Sequence, residues 1–183
     1  MTGTLTVRPY APSDWEAINR IHDAARVDEL ASSVGVEAFL PLRQTFENEG
    51  LFDGLVWVAE LDGVVAGFLA FSDDEVTWMY VAPELYRRGV GRALLRHALS
   101  QAGERVELTV LDGNHPARAL YESEGFVLER TTSGKLVGNE AFDATGHTLV
   151  WHRTGDLPAS ATPRPGGVAL QRPLTSVAWD GAD

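Results

Sequence analysis

Glu75-Val-Thr-Trp-Met-Tyr-Val81 runs into Ala82-Pro-Glu-Leu-Tyr-Arg-Arg-Gly89-Val-Gly91-Arg92, and this succession decides how the rest of the chain is read. The first part is dense in β-branched and aromatic residues and is closed by Pro83, which marks a strand. After the glycines, Ala93, Leu94, Leu95, Ala98, Leu99 and Ala102 recur at helical spacing, with Arg92, Arg96, His97 and Gln101 on the other face. The order is therefore strand, glycine turn, helix. A helix start leaves backbone N–H groups without partners and carries partial positive charge, so an anion fits there. Gly89 and Gly91, flanking Val90, let successive N–H groups converge on one phosphate, and Arg87, Arg88 and Arg92 add charge around the spot. Gly-x-Gly also occurs in plain turns, so the short pattern alone leaves both readings open.

The stretch Arg105–Leu111 alternates as a second strand, which completes a βαβ unit. The phosphate loop of ATPases requires Gly-x-x-x-x-Gly-Lys followed by Ser or Thr, and that string is missing from the chain. The dinucleotide fingerprint requires a third glycine where Leu94 stands, although Asp112, about 20 residues on, matches its ribose-binding acid. A dinucleotide such as NAD remains open on these residues.

The segment after the second strand reads Asn114-His-Pro-Ala117-Arg-Ala-Leu120-Tyr121-Glu-Ser-Glu-Gly125-Phe126. Together with Gly89 and Gly91, it closely resembles the GNAT superfamily of acyl-CoA N-acyltransferases, in which both motifs occur in this order. One departure is Tyr86, at the position where the family carries Gln or Arg. The resemblance covers roughly residues 4–153. It implies an α/β (α+β) fold with a mixed, mostly antiparallel sheet of about seven strands and about four helices. It also implies an N-acetyltransferase that passes an acetyl group from acetyl-CoA to a primary amine by direct attack in a ternary complex.

Site roles follow from the same resemblance. The backbone of Met79, Tyr80 and Val81 would hold the pantetheine arm and the acyl oxygen, and Arg87, Arg88, Gly89, Val90, Gly91 and Arg92 the diphosphate. Asn114 would contact the pantetheine arm, although as a bare residue it is equally a helix N-cap. Tyr121 would protonate the departing thiolate beside the cofactor, and Glu75 would take the amine's proton. A packed tyrosine and a solvated strand-end glutamate are the alternatives for the last two. At the level of function, the alternatives are an acyl-CoA-binding sensor or partner module without turnover, and a small dinucleotide-binding protein resting on Gly89, Gly91 and Asp112.

Composition narrows the classes. The 183 residues are 44% apolar and 22% charged, which suits a single compact domain. A formal net charge of −11 speaks against nonspecific nucleic-acid binding and favours a cationic acceptor, a small-molecule or peptide amine. With no cysteine, disulfides, thiolate metal sites and a cysteine acyl-enzyme are excluded. The five histidines show no metal-ligand spacing, so no metal is expected. No apolar run is long enough for a membrane span and the amino terminus lacks a signal-peptide core, so the expected location is cytoplasmic. Homodimers are common in the resembled family and are an expectation from that resemblance alone.

Outward from the βαβ unit, residues 4–8 predict an opening strand, and Ser13 with Glu16 predicts a capping box for a first helix burying Trp15, Ile18, Ile21 and Ala25. A second helix is predicted over residues 36–48, ended by Gly50. Residues 55–61 and 64–71 read as strands joined by Asp62-Gly63, a hairpin signal. Residues 126–130 and 147–153 read as two more strands, with a long loop at 131–146 that edges the acceptor pocket in the resembled family. The catalytic domain is thus expected over 1–153. A Pro/Gly-rich tail, an extended arm or disordered, is expected over 154–183.

Overall fold

The computed structural model describes residues 3–153, so the expected tail at 154–183 lies outside the described residues. In chain order the elements are β1 (Leu5–Pro9), α1 (Trp15–Ala31), α2 (Leu42–Thr45), β2 (Leu55–Leu61), β3 (Val64–Ser72), β4 (Glu75–Val81), α3 (Val90–Gln101), β5 (Arg105–Leu111), α4 (His115–Ser123), β6 (Val127–Lys135) and β7 (Asp143–His152). The strands form one seven-stranded sheet in the order β1-β2-β3-β4-β5-β7-β6. Only β4 and β5 run parallel, as the crossover through α3 requires. The fold is the mixed, mostly antiparallel α/β sheet that the sequence implies.

Each face of the sheet has its own core. Val90, Leu94, Leu95, Ala98 and Leu99 of α3 pack on Trp57, Leu69, Val76 and Leu108, and Tyr121 of α4 joins them. On the opposite face Ile18 and Ile21 of α1 and Leu42 of α2 cover Val58, Phe68, Ala70 and Trp78. A fully buried leucine or isoleucine contributes about 2 kcal/mol, so the two amphipathic helices α1 and α3 clamp the sheet from both sides. The β2–β3 hairpin turns on Asp62 and Gly63 with φ of 53° and 79°, the pair of positive values a two-residue primed turn demands.

Three local expectations are corrected. Ser13 does not cap α1. Pro12–Asp14 forms a 3-10 turn, and it is Asp14 whose carboxylate accepts the Ala11 N–H at 2.8 Å and pairs with Arg8 at 2.7 Å. The helix expected over 36–48 is broken by Pro41, which has no N–H and disfavours the helical region for Leu40 before it. What remains is a 3-10 turn at Val36–Ala38 and the single turn of α2. The loop expected at 131–146 is mostly hairpin, because β6 continues to Lys135 and β7 begins at Asp143. Cross-strand bonds Thr131–His147 and Ser133–Thr145, both 2.8 Å, and Lys135–Asp143 at 2.6 Å hold it. An edge strand that faces water reads as polar loop because one side buries nothing.

Candidate active site

The parallel pair β4–β5 is joined at one end only. Its register contains the single pair Glu75↔Glu107, with Glu107 N–H bonded to Asp74 O at 3.0 Å, whereas β4 stays paired to β3 as far as Val81. Past Val76 the β5-facing main-chain groups of β4 therefore have no strand partner. A bulge accompanies the divergence: Trp78 pairs with Ala70 and Val76 with Phe71, leaving Thr77 as an extra residue that bends the strand. The same extra residue rephases the side chains. Val76, Met79 and Val81 face the α3 core, and Trp78 and Tyr80 face the α1 core.

At the open end of this split lies the glycine turn. Gly89 caps α3 in the left-handed region with φ of 85°, Arg87 is also left-handed at 63°, and a Cβ on Gly89 would meet no protein atom within 4 Å. Ala93 N–H is bonded to Gly89 O at 2.9 Å, so the N–H groups of Val90, Gly91 and Arg92 precede the helical ladder and face outward along the axis. Gly91 serves packing as well: a Cβ there would stand 3.2 Å from Leu120 Cδ2 and 3.5 Å from Val81 Cγ2. Arg87 and Arg88 are exposed beside the turn, as is Tyr86. Arg92 is drawn to α4, pairing with Glu124 at 3.0 Å and Ser123 Oγ at 3.1 Å. The turn presents the N–H groups of a helix start, with two exposed arginines beside them.

Asn114 caps α4, its Oδ1 accepting the Ala117 N–H at 3.3 Å. Tyr121 of the same helix is buried against Phe126 just beyond its end, with ring centroids 6.1 Å apart. Burial, reinforced by the charge of Glu29, pushes its hydroxyl well above the usual phenol range, so it stays protonated. Glu75 sits at the closed end of the split. Its carboxyl is raised to about 8 by burial and by Glu107, with Arg130 opposing.

A second cluster, on the α1 side of β4, was not singled out from sequence. Arg26 pairs with Glu29 at 2.6 Å, and the Tyr80 hydroxyl donates to the same Glu29 oxygen at 3.1 Å. His22 is buried edge-on to Tyr80 at 4.8 Å, bonded to Asp23 at 2.9 Å, and burial lowers its pKa, which keeps it neutral. His22, Arg26 and Tyr80 line a narrow cavity with Glu49, Trp78 and Asn139. The indole N–H of Trp78 is buried with no partner among the described residues. A signal was present: 22, 26 and 29 are spaced i, i+4, i+7, so polar side chains share one face of α1 next to the apolar stripe of Ile18, Ile21 and Ala25. Among the described residues no group of three or more His, Asp or Glu is arranged to hold a metal, and no helix is long and apolar enough to cross a membrane.

The structure thus combines a seven-stranded mixed sheet, a parallel pair split at one end, a glycine turn at the open end and a narrow cavity on the α1 side of β4. The sequence profile of the acetyltransferase (GNAT) family matches residues 15–126, and the chain belongs to that family. It is 37% identical over 71 residues to the peptidyl-lysine N-acetyltransferase YiaC of Escherichia coli, a match covering 38% of this chain and 48% of that protein, about half its length. It is 29% identical over 125 residues to the thialysine N-epsilon-acetyltransferase of Caenorhabditis elegans, covering 61% of this chain and 76% of that one. In fold it is similar to yncA of Salmonella typhimurium, solved with its cofactor acetyl-CoA, at a TM-score of 0.62 and 21% identity, over 86% of this chain and 99% of that one.

Proposed function

We propose that this protein is an N-acetyltransferase that moves an acetyl group from acetyl-CoA to the primary amine of a small molecule or peptide within a ternary complex. The observation that carries the reading is the β4–β5 split with the Gly89 to Gly91 cradle at its open end. The N–H groups of Val90, Gly91 and Arg92, with Arg87 and Arg88 beside them, suit a diphosphate. The unpaired edge of β4 at Met79, Tyr80 and Val81 suits the amides of a pantetheine arm, which would add to the sheet as a strand does. An N–H of that edge would also stabilise the oxyanion that forms on attack, a contribution of about 3 kcal/mol for one preorganised donor.

When the intermediate collapses, the C–S bond breaks and the thiolate needs a proton. Tyr121, buried and held neutral, is the donor in this reading. Asn114 spends its Oδ1 on the helix cap and leaves its amide N–H for the cofactor. A carboxylate must take the proton that keeps the amine from attacking. Glu75 is the candidate at the closed end of the split. The relatives named for peptidyl-lysine and thialysine support an acceptor nitrogen at the end of an aliphatic chain. Incubation with acetyl-CoA and a panel of primary amines, following free thiol, tests the reading. Thiol release that depends on the amine is the expected result; coenzyme A binding without release for any amine would leave a sensor in its place.

A further inference from the structure

We infer that Glu29 is a positioning residue for the transfer step: it holds Tyr80 by the phenol hydroxyl from the α1 side and so fixes the stretch of β4 whose open edge would carry the acyl oxygen. The inference deepens the acetyltransferase reading and rests on it for the reaction, while the clamp itself stands on contacts that owe nothing to that reading.

The main chain shows which groups are held. Ala82 N–H bonds to Ala66 O at 2.9 Å, and peptide groups alternate along a strand, so the N–H and C=O of Tyr80 also turn to β3. Gly67 gives that carbonyl its room, since a Cβ there would stand 2.8 Å from Tyr80 O. In a trans peptide the N–H points away from the C=O before it. The N–H groups of Met79 and Val81 therefore face the side from which β5 has departed. Tyr80 stands between them, and the peptide that carries the Val81 N–H has Tyr80 as its carbonyl residue. Whatever fixes Tyr80 fixes the aim of that donor.

The side chain is gripped from the other direction. The Tyr80 hydroxyl donates to Glu29 Oε2 at 3.1 Å, and Arg26 Nη1 donates to the same oxygen at 2.6 Å. Arg26 also approaches the hydroxyl at 3.5 Å, and the His22 ring stands edge-on to the phenol at 4.8 Å. All three partners belong to α1, which Ile18 and Ile21 anchor to the sheet. Burial and the charge of Glu29 push the phenol well above its usual range, with Arg26 opposing, so the donor proton is kept. The same charge, after burial, raises the Tyr121 hydroxyl, so Glu29 bears on both faces of the split.

Energetics favour placement over stability as the reason for this cluster. Arg26 and Glu29 expose only 9% and 13% of their side chains. A pair buried to that degree gains about as much from attraction as it loses in desolvation, and apolar residues of like volume would serve the fold as well. They could not supply a directed acceptor for the Tyr80 hydroxyl. Because Glu29 is already engaged by Arg26 and Tyr80, its part is to hold the strand.

The test uses full-length protein, acetyl-CoA labelled with carbon-13 at the thioester carbonyl, and n-butylamine. Tyr80→Phe removes the tether and leaves Arg26 and Glu29 paired, so no buried charge is stranded. It should lower kcat about tenfold or more, with coenzyme A affinity within about twofold of wild type, because a misaimed oxyanion donor weakens the transition state alone. Infrared difference spectra of bound acetyl-CoA, recorded without amine, should show the carbonyl stretch lowered by wild type and returned toward its free value in Tyr80→Phe. Arg26→Met combined with Glu29→Leu should match Tyr80→Phe, and adding Tyr80→Phe to that pair should cost less than about twofold more, as expected of residues acting through one contact. Arg26→Met combined with Glu29→Gln keeps an acceptor oxygen for Tyr80 and should recover most of the rate. A lowered stretch and a kcat that Tyr80→Phe leaves in place, or Glu29→Gln no better than Glu29→Leu, would overturn the inference and spare the acetyltransferase reading. If wild type does not turn over n-butylamine, the infrared comparison decides alone; a wild type that does not bind acetyl-CoA, or binds it with an unshifted carbonyl, would sink both.

Discussion

Replacing Glu49 by Gln should make the fold more stable at pH 8. Burial, reinforced by Glu140 and opposed by Arg26, raises this carboxyl from its ordinary 4.5 to about 7. Between those values the folded chain keeps a proton that the unfolded chain has released, so stability falls as pH rises through the window. Each pH unit is worth about 1.4 kcal/mol, and the whole window about 3 kcal/mol. A Gln amide needs hydrogen bonds in the same partly buried place, which takes back about 1 kcal/mol. The remaining 2 kcal/mol or so corresponds to a Tm about 4–8 °C higher for a chain of this size. Urea unfolding of wild type and Glu49→Gln, followed by tryptophan fluorescence at pH 5 and pH 8, measures it. The gap should be clear at pH 8 and close at pH 5; a gap of the same size at both values, or a variant weaker than wild type at pH 8, would refute the electrostatic argument.

Other substitutions separate the two halves of the site. Tyr121→Phe should lower kcat about 100-fold with coenzyme A affinity unchanged by calorimetry, and an unaltered kcat would remove the acid role. Gly89→Asp should abolish coenzyme A binding while the protein still melts cooperatively: its Cβ meets nothing, the left-handed φ costs about 1–2 kcal/mol, and the new carboxylate faces the diphosphate. Retained affinity would count against the cradle. Arg92→Ala should cost about 0.5–1 kcal/mol of stability, since Glu124 keeps Arg96 at 2.7 Å, and should weaken coenzyme A binding less than Arg87→Ala or Arg88→Ala does. The reverse order would place Arg92 on the phosphate after all.

The elements that carry the proposed cofactor residues were legible because they are local. Glu75 to Val81, the glycine turn and α3 are consecutive, and each carries its own signal: β-branched residues, left-handed glycine, helical spacing of leucines. β2, β4 and β5 fall within their expected bounds for the same reason. The cavity on the α1 side of β4 is assembled from segments far apart in the chain. Asn139 bonds to Ala38 across 101 positions, and nothing near either residue announces the contact. Pro41 is the signal in the sequence for the break between Ala38 and Leu42. The buried face of α1 was expected to hold Trp15, Ile18, Ile21 and Ala25, and the structure adds the polar His22 and Arg26 to it.

One inserted residue ties the halves together. With strict alternation Val76, Trp78 and Tyr80 would share a face of β4, yet Val76 packs with α3 while Trp78 and Tyr80 pack with α1. Thr77, unmatched on β3, absorbs the difference. The bend it introduces also accompanies the departure of β4 from β5, which frees the main-chain edge proposed to hold the thioester arm. Tyr80 is thus turned to the cavity on the α1 side while Met79 and Val81 face α3, so a single bulge sets both the opening and what stands on each side of it.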